Sequence, residues 1–320
     1  MSAVTKPVIG ILFAGEMGST LGQLLARQGY RVVTSVAGRS ARTCRLACDA
    51  SLEVVDSVAD LVRVADVVFS VVPPGAALAV AQDYCAHNAL RREREGRLFV
   101  DLNSIAPATA IEVADLCGRE GVRFVDGAIH GMASRLPSAG TLYLSGFLAQ
   151  NVADLFAPLL RVKVLGETAG QASAFKMMIS GLAKGVVALL LEMSLTAREA
   201  NLLEELLTCY RDAYPGIMDL VDRLLPTYPL HAARRGDELR EVELTMRGLG
   251  LQPCVVSAAQ QLTTAVGRLC LADRNPREGL KWSVPEVIEA IFVRNPLQIS
   301  QESKALLLPS PLYSGERGLG

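Results

Sequence analysis

Over its first half the chain alternates short β-branched runs with helical stretches, and that alternation restricts the fold more than any other feature. The runs are "VIGILF" (8–13), "RVVTSV" (31–36), "DVVFSVV" (66–72), "RLFVDL" (97–102) and "RFVDGAI" (123–129). Helical patterns lie between them at 17–28, 57–64, 75–87 and 106–118. Strands that are apolar throughout must be covered on both faces, and the intervening helices supply the cover. The expectation is an α/β domain built on a doubly wound parallel sheet. "TLYLSG" (141–146) and "VKVLG" (162–166) extend that sheet to about residue 168.

Beyond it the pattern changes. A long helical stretch runs from 169 to about 201, and helical patterns continue to about 295, cut by Pro215, Pro226, Pro229, Pro253 and Pro285. The 320 residues suit two domains. The division expected is a sheet domain at 1–168, an all-α domain at 169–300, and a loose tail at 301–320. "RREREG" (91–96) reads as a solvated loop. Lys+Arg number 32 and Asp+Glu 33, which leaves no electrostatic footprint for nucleic acid. The most apolar run, "GVVALLL" from Gly185, stops at Glu192 and is too short to cross a bilayer. The apolar "VIGILFAG" leads into a helix with no small-residue cleavage site after it, so a cytoplasmic protein without a membrane segment is expected. The 7 cysteines show neither CxxC nor metal-like Cys/His spacing, so no disulfide framework and no metal site is expected. Cys44 and Cys48, one helical turn apart, read as ordinary thiols.

The first strand enters a helix through "FAGEMG" (13–18). A dinucleotide site has G-x-G-x-x-G here; Phe13 occupies the first slot, while Gly15 and Gly18 keep the other two. Gly15 would admit a pyrophosphate to the backbone, and Gly18 would let the helix pack on the strand. Ala14, Glu16 and Met17 complete a helix start whose free N–H groups and dipole favour phosphate. The plain alternative is a structural turn. After 31–36 the chain reads "AGRSART", with no acid for a ribose 2′-hydroxyl. Gly38, Arg39 and Ser40 suit a 2′-phosphate instead, since a guanidinium grips phosphate oxygens in pairs. NADP(H) is therefore the expected cofactor, with NAD(H) left open, against the alternative of an ordinary basic loop. Val72, Pro73 and Pro74 can wall a nicotinamide, and Asn103 and Ser104 offer uncharged hydrogen bonds to cofactor and substrate; the alternative for each segment, read alone, is a plain βα loop.

"GQASAFKMMISGLAKG" (170–185) places Lys176, Ser180 and Lys184 at intervals of four, along one helical stripe. A lysine among apolar neighbours loses solvation, and its pKa falls toward the range of a general acid or base. The alternative is that both lysines reach out to water. In "LHAARRGDELREVELTM" (230–246), Leu239, Val242 and Met246 form an apolar stripe. Arg235 and His231 continue it, as anchors for an anionic substrate at a cleft rim. Glu238 and Glu241 support the other reading, a mixed-charge surface helix.

These segments, in this order, resemble the β-hydroxyacid dehydrogenase superfamily, which includes 3-hydroxyisobutyrate and 6-phosphogluconate dehydrogenases. "IGILFAGEMG" is similar to its opening V-G-F-I-G-L-G-x-M-G, and "DLNSIAP" to D-x-S-T-x-x-P. "DGAIHGM" (126–132) lies where the family has D-A-P-V-S-G-G, and "GQASAFKMMIS" where it has G-x-G-x-x-x-K-x-x-N-N. "AGEMG" and "HAARR" (231–235) resemble the 6-phosphogluconate-dehydrogenase-like branch with a C-terminal helical domain of unknown function. The resemblance implies a Rossmann-type domain, a nicotinamide cofactor, a small hydroxy acid or its carbonyl partner as substrate, and a homodimer through the helical domain. It makes Lys176 the catalytic acid/base, helped by Ser180, with His130, Gly131, Met132 and Lys184 among the substrate contacts. Ser180 stands where the family has Asn, His130 where it has Ser, and Met132 where it has Gly. These departures argue against 3-hydroxyisobutyrate or 6-phosphogluconate as the substrate. They keep in view an NADPH-dependent imine reductase and an NADP(H)-binding protein without catalysis.

Overall fold

The computed structural model describes residues 6–89, 96–271 and 282–294. The tail at 301–320, and all of the 91–96 loop except Gly96, lie outside the described residues. The first segment contains β1 (Ile9–Leu12), α1 (Glu16–Arg27), β2 (Val32–Ser35), α2 (Ala41–Asp49), β3 (Glu53–Val55), α3 (Val58–Val64), β4 (Val67–Ser70) and α4 (Ala77–Ala89). Next come β5 (Leu98–Asp101), α5 (Pro107–Arg119), β6 (Arg123–His130), α6 (Leu136–Ala139), β7 (Thr141–Ser145), α7 (Ala149–Phe156) and β8 (Arg161–Gly166). Helices follow: α8 (Gln171–Glu199), α9 (Leu203–Ala213), α10 (Pro215–Leu224), α11 (Tyr228–Gly248), α12 (Cys254–Gly267) and α13 (Val284–Phe292). The chain divides into two compact units, Met1–Leu189 with Ala233–Thr264, and Leu190–Ala232 with Ala265–Gly320. It passes from one to the other inside α8, α11 and α12. This division follows packing, whereas 168/169 marks the change from strands to helices.

In the first unit the eight strands form one sheet, in the order β3-β2-β1-β4-β5-β6-β7-β8. Successive side chains go to opposite faces. Ile9, Ile11, Phe69 and Val100 join Leu21, Leu25 and Phe156 in one buried layer. Leu12, Val68 and Phe99 join Leu61, Tyr84 and Val113 in the other. The order reverses between β1 and β4, and in such sheets ligands gather at the carboxyl edge beside the reversal. Two features depart from the sequence expectation. The edge strand β3 was not expected, and β7 runs antiparallel to β6 whereas the rest of the sheet is parallel. The β6–β7 connection, residues 131–140, is shorter than the dozen or so that a parallel crossover needs.

Asp126 of β6 explains where α8 begins. Its carboxylate accepts from the backbone N–H of Gly170 at 2.9 Å and of Ser173 at 3.0 Å, and from the hydroxyls of Ser173 at 2.6 Å and Ser145 at 2.9 Å. Ser145 also accepts from the Ala172 N–H at 3.0 Å. The N–H groups at this helix start therefore find partners in the sheet. Among the described residues α8 is long and apolar enough to cross a membrane, with mean hydropathy 1.7 over its most apolar window. The helix extends far beyond the run from Gly185 on which the sequence expectation rested, and 44% of that window is buried within the fold.

In the second unit, Arg211 pairs with Asp222 at 2.8 Å, joining α9 to α10. Arg198 pairs with Glu289 at 2.6 Å, joining the end of α8 to α13. Ser283 and Glu286 form a reciprocal cap on α13, below which Val287, Ile288 and Ile291 are buried.

Candidate active site

The turn after β1 is shaped by its two glycines. A Cβ on Gly18 would collide with the Phe13 carbonyl oxygen, so only glycine lets α1 lie this close to the strand. A Cβ on Gly15 would meet nothing within 4 Å, so the space above it is open. Gly15 is also the N-cap of α1 and supplies no side-chain cap. By contrast, Ser40 and Ser57 cap α2 and α3. The first N–H groups of α1, at Glu16 and Met17, thus lie beside open space at the positive end of a helix, an arrangement that fits a pyrophosphate.

Phe13 is buried, and its ring supports the Arg39 guanidinium, whose central carbon lies 3.5 Å from the ring centroid. Gly38, at φ +68°, makes the turn that brings Arg39 there. Arg42 instead pairs with Glu16, and both side chains are exposed. Arg39, Gly15 and Gly18 therefore share the carboxyl edge beside β1 and β2. Val72, Pro73 and Pro74 follow β4 on the same edge, Pro74 opening a short 3₁₀ turn. Ala14 is buried beneath the turn.

Asn103 takes a different part from the one expected. Its amide nitrogen donates to Ser70 Oγ at 3.0 Å and Asp101 Oδ2 at 2.8 Å, and its Oδ1 accepts from the Val72 N–H at 2.6 Å. Both amide hydrogens are spent inside the protein, so Asn103 braces the β4 and β5 loops and has no donor left for a cofactor. Ser104, half-buried, is the next residue along this loop. Asp101, fully buried beside Asn103, is pushed up to about 7 by burial, with the charge of Asp126 adding to the shift.

Lys176 lies one turn inside α8, and its Nζ donates to the Ile129 carbonyl at the end of β6, 2.7 Å away. Its pKa is pushed down to about 8, chiefly by burial and then by Lys184, against an upward pull from Glu238, with Arg234 adding a smaller downward push. His130, Gly131 and Met132 follow Ile129 and are exposed; Gly131 takes φ +135°, a conformation that favours glycine. A Cβ on Gly181 would lie 2.9 Å from Val242 Cγ1, and this close approach brings α8 against α11. There Lys184 pairs with Glu238 at 2.8 Å, each side chain about one-eighth exposed. Glu238 also pairs with Arg234 at 2.8 Å, and Lys184 donates to Ser180. Burial raises the Glu238 pKa, but Lys184, Arg234 and Lys176 outweigh it and hold the group below its usual value.

Glu238 therefore belongs to the site and not to a solvated face, which corrects the surface-helix alternative. Its signal was present, since it lies four residues before the buried Val242. Glu241 accepts from the Ala106 N–H at 2.7 Å, at the start of α5. Arg235 is buried on the same helix, in the first unit; His231, one turn earlier, belongs to the second. The structure thus brings together Lys176, Ser180, Lys184, Arg234 and Glu238, with Asp126 as the anchor of α8. Asp126 and Arg234 were not singled out from the sequence.

Residues 8–160 match the NAD binding domain of 6-phosphogluconate dehydrogenase, and residues 197–266 match a domain of unknown function, DUF1932. An uncharacterized 28.5 kDa protein of Methanothermus fervidus is 29% identical over 79% of this chain and 96% of its own. A solved conserved protein, MTH1747, described as structurally similar to 3-hydroxyacid dehydrogenases, is 30% identical, with TM-score 0.62 over 81% of this chain and 96% of its own. The 3-hydroxyisobutyrate dehydrogenase of Mycobacterium tuberculosis shares the fold, with TM-score 0.67 at 18% identity over 90% and 99% of the two chains. A cofactor-domain match that covers the turn and the sheet reversal agrees with the geometry, and the chain belongs to the 6-phosphogluconate-dehydrogenase-like β-hydroxyacid dehydrogenase superfamily of pyridine-nucleotide oxidoreductases.

Proposed function

We propose that this protein is an NADP(H)-dependent dehydrogenase or reductase acting on a small anionic hydroxy acid or its carbonyl partner, with Lys176 as general acid and base. The observation that carries the proposal is a lysine, depressed to about 8, at the end of β6 on the edge where the nucleotide turn also opens. NADP(H), when bound, gives or takes the hydride. Holding it falls to the α1 start at Gly15–Gly18, to Arg39 for the 2′-phosphate, and to the Val72–Pro74 wall.

In the oxidative direction the neutral Lys176 amine takes the substrate hydroxyl proton while the C–H bond gives up its electron pair as hydride. In reduction the ammonium returns a proton to the carbonyl oxygen. Its bond to the Ile129 carbonyl holds Nζ at a fixed place while the side chain is idle. Arg234 and Arg235 add positive charge suited to a carboxylate. Exposed Phe175, Met178, Leu182, Leu189 and Met193 form one stripe on α8, which supports a second copy of the chain as its cover.

The test is Lys176→Ala assayed with NADPH and NADH against β-hydroxy acids, 2-oxo acids and cyclic imines. The expected result is loss of turnover with NADPH binding within about threefold of wild type, a change worth well under 1 kcal/mol. Unchanged turnover on any substrate used by wild type overturns the acid/base assignment. Turnover of imines alone favours an imine reductase.

A further inference from the structure

Ser180 is buried on α8, one turn beyond Lys176. A helical hydroxyl commonly donates to the carbonyl four residues earlier, as Thr196 does to Glu192, Thr208 to Glu204 and Thr245 to Glu241. Ser180 makes no such bond; among the described residues its one hydrogen-bond partner is Lys184, which donates to it. An ammonium has only hydrogens to offer, so the Ser180 oxygen is the acceptor in this pair. Its own hydrogen is left without an acceptor inside the fold.

Lys184 is in turn fixed. Glu238 takes one of its N–H bonds on Oε2 and holds Arg234 on Oε1, both at 2.8 Å. A buried carboxylate with both oxygens engaged by cations cannot release either without stranding charge. Gly181, which admits Val242, keeps the two helices close enough for the chain of bonds to close.

Resting on the function proposed above, we infer that Glu238 and Lys184 are positioning residues that lock the Ser180 hydroxyl as a hydrogen-bond donor toward the substrate oxygen facing Lys176. Ser180 stands where the family signature has Asn, and in this arrangement its single hydroxyl is the donor at that place. Ser180 then shares with Lys176 the negative charge that grows on the oxygen as hydride is transferred. Lys184 does not itself touch substrate; it sets the direction of a hydroxyl that could otherwise turn either way.

The experiment is a cycle of Ser180→Ala, Lys184→Met and the double variant, with Ser180→Asn made in both the wild-type and Lys184→Met backgrounds. Each single change to Ala or Met is expected to lower kcat/KM by about tenfold or more, the effect of one hydrogen bond to a charged oxygen. The double variant should lose no more than the worse single. Ser180→Asn should restore most of the activity lost in Lys184→Met, because an amide keeps its N–H donors without help. Multiplicative losses, or a failed rescue in a variant with an unchanged Tm, overturn the inference.

A second readout is the pH inflection of Lys176, which faces Lys184 on α8, Arg234 and Glu238 on α11, and the Ile129 carbonyl on β6. Lys184→Met removes a like charge and should move the inflection up, and Glu238→Gln should move it down. Equal shifts, or none, count against the arrangement. Lys176→Ala, run in parallel, keeps the two proposals apart. If it retains turnover, the acid/base reading fails; if it is inactive while Ser180 and Lys184 act independently, only this inference fails.

Discussion

Replacing Asp126 with alanine is expected to loosen the start of α8 by about 4 kcal/mol. The carboxylate accepts four hydrogen bonds, two from backbone N–H groups and two from hydroxyls, all within 2.6–3.0 Å. Alanine strands the buried N–H groups of Gly170 and Ser173, at roughly 1–3 kcal/mol each. The two hydroxyls can turn to other acceptors and add less. Asparagine is a milder change. Its oxygen can take the place of Oδ2, where three of the donors converge, and its amide can donate to a rotated Ser173 hydroxyl, so about 1–2 kcal/mol is expected. Hydrogen exchange read by mass spectrometry on peptides covering residues 168–178 reports this locally, without requiring the two units to unfold together. A loss of about 4 kcal/mol raises the opening constant nearly a thousandfold, and the asparagine variant should raise it about tenfold. Equal exchange in the two variants, or a change below tenfold in the alanine variant, would refute the argument that the sheet caps this helix. Turnover should fall with exchange protection, because α8 carries Lys176.

Gly15→Ala should leave Tm within about 2 °C of wild type, since its Cβ meets nothing, yet weaken NADPH tenfold or more by filling the space over the α1 N–H groups. Gly18→Ala should instead lower Tm markedly, a contrast that thermal unfolding with and without NADPH will read. Arg39→Ala should weaken NADPH far more than NADH. Phe13→Leu, which removes the ring beneath the guanidinium, should reduce that preference about threefold, as calorimetric Kd values for both cofactors would show. Asp101, raised to about 7 when folded, binds a proton that the unfolded chain has already lost between about pH 4 and 7. Its contribution to stability is therefore full below about pH 4 and is lost as pH rises through 7, by at most about 4 kcal/mol. Asp101→Asn should gain on wild type over that interval in urea unfolding, and a constant difference would contradict the shift.

The sheet is legible because its central strands are buried on both faces, so residues 9–12, 67–69 and 98–100 read as unbroken apolar runs. Glu53–Val55 escaped because a three-residue edge strand with Glu53 and Val54 exposed carries little apolar signal. The reversal of β7 escaped too, since direction follows from the length of the connection and not from the strand's own residues. Lys176 and Ser180 could be read from spacing on one helix. Glu238 reads as a solvated carboxylate in the sequence, because its pairing with Lys184 joins two helices far apart along the chain. The work of Asp126 could not be read, because its backbone partners lie 44 and 47 residues away along the chain.

Asp126 and the Ile129 carbonyl sit on one strand, and the N–H of Ser173 and the amine of Lys176 reach them from one helix. Both pairs are three residues apart, but the two backbones climb at different rates. Three strand residues advance about 10 Å, and three helix residues about 4.5 Å. With the helix pinned at the cap, the long side chain of Lys176 spans what is left between the helix and the strand. The residue at 176 thus answers to a ruler as well as to acid–base chemistry. A shorter amine with an identical pKa would stop short of the sheet edge, and one residue inserted between Ser173 and Lys176 would swing the amine about 100° around the helix, away from it.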